Sequence, residues 1–179
     1  MNVRRIVTGR NNGGSSVFIS ADEAPNTHDF VHNPGMSITQ IWSTPPTPSL
    51  SAELTDPTLV PGPTIPTPGG TRFILVAFPP DAGMASPQFD GRAFHEENLK
   101  VAPDLAERFE PENPGMHTTD TIDYGIVLEG EIWIELDDGR TQHLRRHDVL
   151  VQNGTRHAWR NKTDRPTLMA FVLVGARRA

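Results

Sequence analysis

His117, Asp123 and His157 are the residues of this chain whose types and spacing offer the most chemistry. Imidazole supplies a neutral nitrogen ligand and a carboxylate offsets the charge of a cation. Two imidazoles with one carboxylate leave coordination positions open to water, O₂ or a substrate oxygen. Side chains alternate along a strand, so His117, Thr119, Thr121 and Asp123 point one way if their strand is unbroken. His157, Trp159 and Asn161 likewise share a face of a later strand. Parity alone is compatible with a facial triad for a divalent metal, but a pair of strand histidines is more often structural or exposed. Cysteine is absent, so there is no thiolate ligand or nucleophile and no disulfide framework.

The elements that must carry these residues are strands. From 121 onward the runs Thr121–Leu128, Ile132–Leu136, Arg140–Leu144, Asp148–Gln152, His157–Asn161 and Leu168–Val174 follow one another with turn signals between them. Asp137-Asp138-Gly139 is a hairpin turn, and Ile132–Leu136 alternates apolar and polar residues. Short, evenly spaced strands with almost no helix predict an all-β antiparallel sandwich or barrel. Upstream, Asn11-Asn12-Gly13-Gly14 joins Arg5–Thr8 and Ser16–Ser20 as a hairpin, and Met36–Trp42 and Arg72–Phe78 read as further strands. Residues 43–70 hold eight of the 17 prolines and cannot donate a regular ladder, so they read as a wrapping loop. Residues 79–116 read as irregular, with a short helix near Pro103–Phe109, and are expected to form a lid or one wall of a pocket.

At 179 residues the chain fits one domain, with 1–80 as N-terminal strands and proline-rich loop, 81–114 as an insertion and 115–175 as the barrel. The net charge of −6 argues against nucleic acid as a partner, because affinity there comes from neutralising phosphates. The short basic cluster Arg145-Arg146-His147 reads as a solvated turn. There is no apolar run long enough for a membrane span, and Met1–Gly9 lacks the apolar stretch of a secretory signal, so a cytoplasmic location is expected.

The order of residues from 115 to 175 resembles the cupin superfamily. Its first motif runs His-x-His, three or four residues, Glu, six residues, Gly. This chain has His117-Thr118-Thr119, then Asp123, then Gly130. Its second motif ends Pro-x-Gly, two residues, His, three residues, Asn. This chain has Gln152-Asn153-Gly154, His157 and Asn161. The chain departs from the pattern at Thr119 for the second histidine, at Asp123 for the glutamate, at Gln152 for the proline and at His147 for a glycine. The resemblance implies a jelly-roll β-barrel, here with a long irregular N-terminal extension, and one divalent metal (Fe, Mn, Ni or Zn) on His117, Asp123 and His157. It also implies a small organic acid or phenolic, polyketide-like substrate, and oxygenase or decarboxylase chemistry of a cupin-domain oxidoreductase. The alternatives are a metal-free cupin that binds a small molecule, or a metal-free isomerase or epimerase. Small cupins commonly pair, so a homodimer through the N-terminal hairpin is expected.

Thr119 and Trp159 are expected at the substrate pocket, although Trp159 could equally fill the core. Asp120 is expected at the surface and Tyr124 in the core, both having parity opposite to Asp123. His143 and His147 are expected at the rim, His95-Glu96-Glu97 on an exposed loop, and His28 and His32 flank Asp29 in an irregular segment.

Overall fold

The computed structural model describes residues 2–50 and 55–178, so 51–54 of the proline-rich stretch lie outside the described residues. The chain forms β1 (Arg4–Arg10), β2 (Ser16–Glu23), β3 (Asn26–Asp29), β4 (Ser37–Thr44), β5 (Thr71–Phe78), α1 (Gly91–Val101) and α2 (Pro103–Ala106). The remaining strands are β6 (Thr121–Glu129), β7 (Glu131–Glu135), β8 (Thr141–Arg145), β9 (Val149–Asn153), β10 (Ala158–Arg160) and β11 (Thr167–Gly175). They make a six-stranded sheet ordered β3-β4-β5-β11-β6-β9 and a three-stranded sheet ordered β10-β7-β8, with every pairing antiparallel. The β1–β2 hairpin is a separate ribbon.

The two sheets face one another across a single apolar core. Ile74, Val76, Val127, Met169, Phe171 and Leu173 of the large sheet pack with Ile132, Ile134 and Leu144 of the small one. This is the jelly-roll barrel, and period-two alternation builds it: Ile132 and Ile134 face in while Glu131, Trp133 and Glu135 are only partly covered. A smaller cluster of Ala24, Ile41, Leu75 and Ala170 covers part of the outer face of the large sheet, with Val3 and Phe73 against it.

Two features differ from the sequence reading. Beside the hairpin and the Met36–Trp42 strand read from the sequence, the N-terminal region carries a further strand, β3, which pairs with β4 at the edge of the large sheet. The irregular part is the proline-rich loop. It is pinned by Arg5, which donates to Asp56 and Thr58, and by Gly69 N–H, which donates to the Gly175 carbonyl at 2.8 Å. The insertion holds a full helix, α1, capped by the Asp90 carboxylate accepting from Ala93 N–H at 2.9 Å.

Turn chemistry fixes the register of the small sheet. Asp138 and Gly139 both have positive φ, 58° and 67°, as a tight hairpin requires. Gly130, at φ +78°, closes the β6–β7 turn, where a Cβ would stand 2.8 Å from Thr167 Oγ1 and 2.9 Å from the Pro166 carbonyl. His147, in the place of a usual glycine, keeps the left-handed conformation that such a glycine supplies, at φ 74°.

Candidate functional site

His117 and His157 meet as an isolated antiparallel bridge between the segment entering β6 and the one entering β10. Each backbone N–H donates to the other's carbonyl at 3.0 Å. The rings stand 4.3 Å apart between centroids and both residues are buried. Each Nδ1 lies 3.0 Å from the carbonyl two residues earlier, Gly115 for His117 and Thr155 for His157. An Nδ1–H donated to a carbonyl leaves the Nε2 lone pair free, which is the tautomer that binds a metal. Burial pushes the His157 imidazole down to about 4, helped by His117 beside it, and burial also lowers His117. Both rings are therefore neutral at pH 7, as ligation requires.

Gln152 adds a competing contact. Its Oε1 accepts from Gly154 N–H at 2.7 Å and its Nε2 donates to the Thr155 carbonyl at 2.6 Å. That Nε2 also stands 2.7 Å from His157 Nδ1. If Gln152 donates there, the His157 proton moves to Nε2 and the ring becomes a donor into the barrel instead of a ligand. The residue standing in place of the motif's proline thus sets which tautomer His157 adopts.

Asp123 lies on β6 beside both β11 and β9, opposite Leu173 and Gln152. It shares the inward face with Val127 and is buried, its Oδ1 has no hydrogen-bond partner, and burial pushes its carboxyl up to about 6 against the Thr121 hydroxyl. The structure therefore brings His117 and His157 together and puts Asp123 in the same interior. Among the described residues, however, no group of three or more His, Cys, Asp or Glu is close enough to hold a metal. By type the donors suit a divalent cation: two neutral buried imidazoles and an orphaned carboxylate oxygen.

Thr119 is buried, with its hydroxyl 2.8 Å from that of Thr121, and lines a cleft of about 390 Å³ with Asp120, Asn153, Gly154 and Arg178. Trp159 packs into the core against Phe78 and Phe171 with its edge toward His157, ring centroids 6.0 Å apart. Phe109 closes the other side of His117 at 4.8 Å. Asp120 is at the surface and pairs with Arg178. Tyr124 is a correction: it is 46% exposed on the outer face of β6, where the N-terminal cluster does not reach. His143 stacks on Trp133 at 4.1 Å and bonds Glu131. The segment carrying His28 and His32 is tied to Glu97 of α1, whose carboxylate meets His28 Nε2 at 2.8 Å and accepts from the N–H groups of Val31 and His32. Glu97 is thus a buried tether and not part of an exposed loop.

Sequence reasoning passed over Arg72. It opens the apolar run of β5 and reads as a strand end, yet it shares parity with Ile74 and Val76 and is buried. A charged residue at inward parity was the available signal.

No protein-family model matches the chain. One segment is similar to curated fungal proteins. It is 56% identical over 48 residues to the Phomopsin biosynthesis cluster protein C' of Diaporthe leptostromiformis, covering 27% of this chain and 25% of that one. It is 48% identical over 48 residues to the Oryzines biosynthesis cluster protein J of Aspergillus oryzae, covering 27% of each. It is 44% identical over 62 residues to the cupin-domain-containing oxidoreductase virC of Hypocrea virens, covering 33% and 32%. The match thus spans a quarter to a third of the length of these relatives. Among solved structures, a cupin 2 conserved barrel domain protein from Salinispora arenicola is similar over 79% of this chain and 76% of its own, at 15% identity and a TM-score of 0.41. The motif order that keeps His117, Gly130, His157 and Asn161 and the two-sheet antiparallel barrel have the cupin pattern, and the matched segment is similar to cupin-domain-containing oxidoreductases.

Proposed function

We propose that this protein is a cupin enzyme of the oxidoreductase kind that holds one divalent metal, Fe, Mn, Ni or Zn, through His117, His157 and Asp123 and acts on a small organic acid or phenolic molecule. The observation that carries this reading is the pairing of two buried, neutral imidazoles, each tethered at Nδ1, inside the same barrel as the orphaned Oδ1 of Asp123. The names of the relatives, cupin-domain-containing oxidoreductases and proteins of fungal biosynthesis clusters, support it. A bound metal would supply Lewis acidity or, as iron, O₂ activation. The chain's own residues do the rest. Gly115 and Thr155 carbonyls orient the two imidazoles, Phe109 and Trp159 exclude water from their flanks, and Thr119 leaves open the position of the missing second motif histidine.

Elemental analysis of purified protein reconstituted with each metal tests this. The expected content is about one equivalent per chain in the wild type and about a tenth of that in His117→Ala and His157→Ala. Wild-type protein that stays far below one equivalent with all four metals sinks the proposal.

A metal-free reading is favoured by one observation, the 2.7 Å contact of Gln152 Nε2 with His157 Nδ1. With that bond made, His117 Nε2 accepts and His157 Nε2–H donates, an arrangement fit for binding a small molecule or for moving a proton in an isomerisation. Imidazole nitrogen shifts by NMR separate the two readings, since the metal-free one places the His157 proton on Nε2. We further propose that the protein acts as a homodimer.

A further inference from the structure

Arg72 is a buried cation whose Nε has no hydrogen-bond partner. The residue is 6% exposed, and among the described residues it is the only Lys or Arg so deeply buried. Its position on β5 is inward, in register with Leu173, which in turn is in register with Asp123 and then Gln152. One row across the large sheet therefore runs from Arg72 through Leu173 and Asp123 to Gln152, the residue in contact with His157. Strands lie about 4.8 Å apart, so roughly 10 Å separates the backbones of Arg72 and Asp123.

The opposite charge that acts on Arg72 is Asp104 of α2, and its two carboxylate oxygens are engaged by Thr64 N–H at 3.2 Å and Ile65 N–H at 2.6 Å. The loop residue beside the guanidinium is Gly62, where a Cβ would stand 3.3 Å from Nη2. A glycine there places backbone, and no side chain of its own, against the guanidinium. Gly62 is itself fixed by Gln40, whose Nε2 donates to its carbonyl at 3.0 Å. The loop is therefore held without drawing on the Arg72 fork. A buried guanidinium with an unfilled donor is costly unless an anion meets it, and its planar fork matches a carboxylate. With Arg72 the one cation so deeply buried among the described residues, a monoanion fits better than a phosphate dianion.

We propose that Arg72 is the receptor for the carboxylate of a small ligand bound inside the barrel, which it holds with the rest of the molecule directed toward Asp123 and the His117–His157 pair. The inference rests on the reading of that pair as the reacting centre, and it deepens that reading by naming the substrate class as a monocarboxylate.

The test compares benzoate and pyruvate with their neutral amides by titration calorimetry, on the full chain as purified and after chelator treatment. Each carboxylate is expected to bind about tenfold or more tightly than its amide, before and after stripping. Arg72→Gln is expected to abolish that preference while leaving metal content and amide binding unchanged, and Arg72→Lys to restore part of it. Equal affinity for acid and amide, or no binding of either acid, overturns the proposal with no variant required, so a misfolded Arg72→Gln does not protect it. A preference that survives in Arg72→Gln overturns it. So does one that disappears on stripping, which would assign the anion to the metal. Metal content read on the same samples keeps the two failures apart: absence of metal sinks the metal reading, while a carboxylate preference that depends on Arg72 stands without it.

Discussion

At the residue scale the site is defined by groups held away from their ordinary charge states, and their pH dependences oppose one another. His157 is pushed by burial down to about 4 and His117 is lowered as well, so between that range and 6.5 the unfolded chain binds more protons than the folded one. Stability from the pair is present above pH 6.5 and is lost as pH falls. Asp123 is pushed by burial up to about 6 from 3.8, so the folded chain holds its proton where the unfolded one has released it. Its contribution is present below pH 3.8 and is lost as pH rises through 6. In metal-stripped protein Asp123→Asn removes that second term. The variant is expected to exceed the wild type in urea-unfolding stability at pH 7.5 by on the order of 2 kcal/mol, and the gain should vanish near pH 4. A gain of the same size at both values would show that the carboxylate's charge is not its source. With metal bound the sign should reverse at pH 7.5, because the variant then loses a ligand.

At the element scale the turns and the insertion decide how the pair is presented. Gly130→Ala meets both a positive φ and contacts under 3.0 Å with Thr167 and Pro166, whereas Gly139→Ala meets a positive φ with nothing within 4 Å. The first is expected to cost about 3 kcal/mol and the second about 1 kcal/mol, measured by chemical unfolding. Equal costs would show that the β6–β7 turn yields where the structure has it packed. The sequence pattern reads well where a strand carries its own alternation, as in β6 to β11, because period two and turn residues are local properties. It fails where a distant partner decides. β3, Asn26-Thr27-His28-Asp29, is polar throughout and is a strand because β4 pairs with it. α1 is mostly polar, and it is anchored by Glu97 reaching a loop 65 and 66 residues away. The candidate pair was legible by the same logic, since His117 and His157 sit at motif positions. The inward charge of Arg72 was marked by its parity with Ile74 and Val76, whereas its register with Asp123 across β11 depends on strand pairing that no local spacing encodes.

At the scale of the whole molecule the β1–β2 ribbon and the β6–β9 edge leave apolar side chains uncovered. The β1–β2 ribbon exposes Phe18 at 76% with Ile6 and Ile19, and the β6–β9 edge exposes Val149, Val151 and Tyr124. A two-stranded ribbon is marginal by itself in water, and β9 ends the large sheet with an open edge. A second copy of the chain carries both surfaces and so can answer both at once through a two-fold axis, which a partner with one apolar patch cannot do. Light scattering at micromolar concentration is therefore expected to give a dimer mass. Phe18→Asp and Val151→Asp should each raise the dissociation constant about tenfold or more, because a carboxylate buried at an interface without a partner costs more than the apolar contact it replaces. If only Phe18→Asp acts, the ribbons pair with each other. If only Val151→Asp acts, the sheet edges do. If both act and are not additive, the ribbon of one copy covers the edge of the other. A monomeric wild type at that concentration removes the interface altogether, and leaves the ribbon's three apolar side chains without an account.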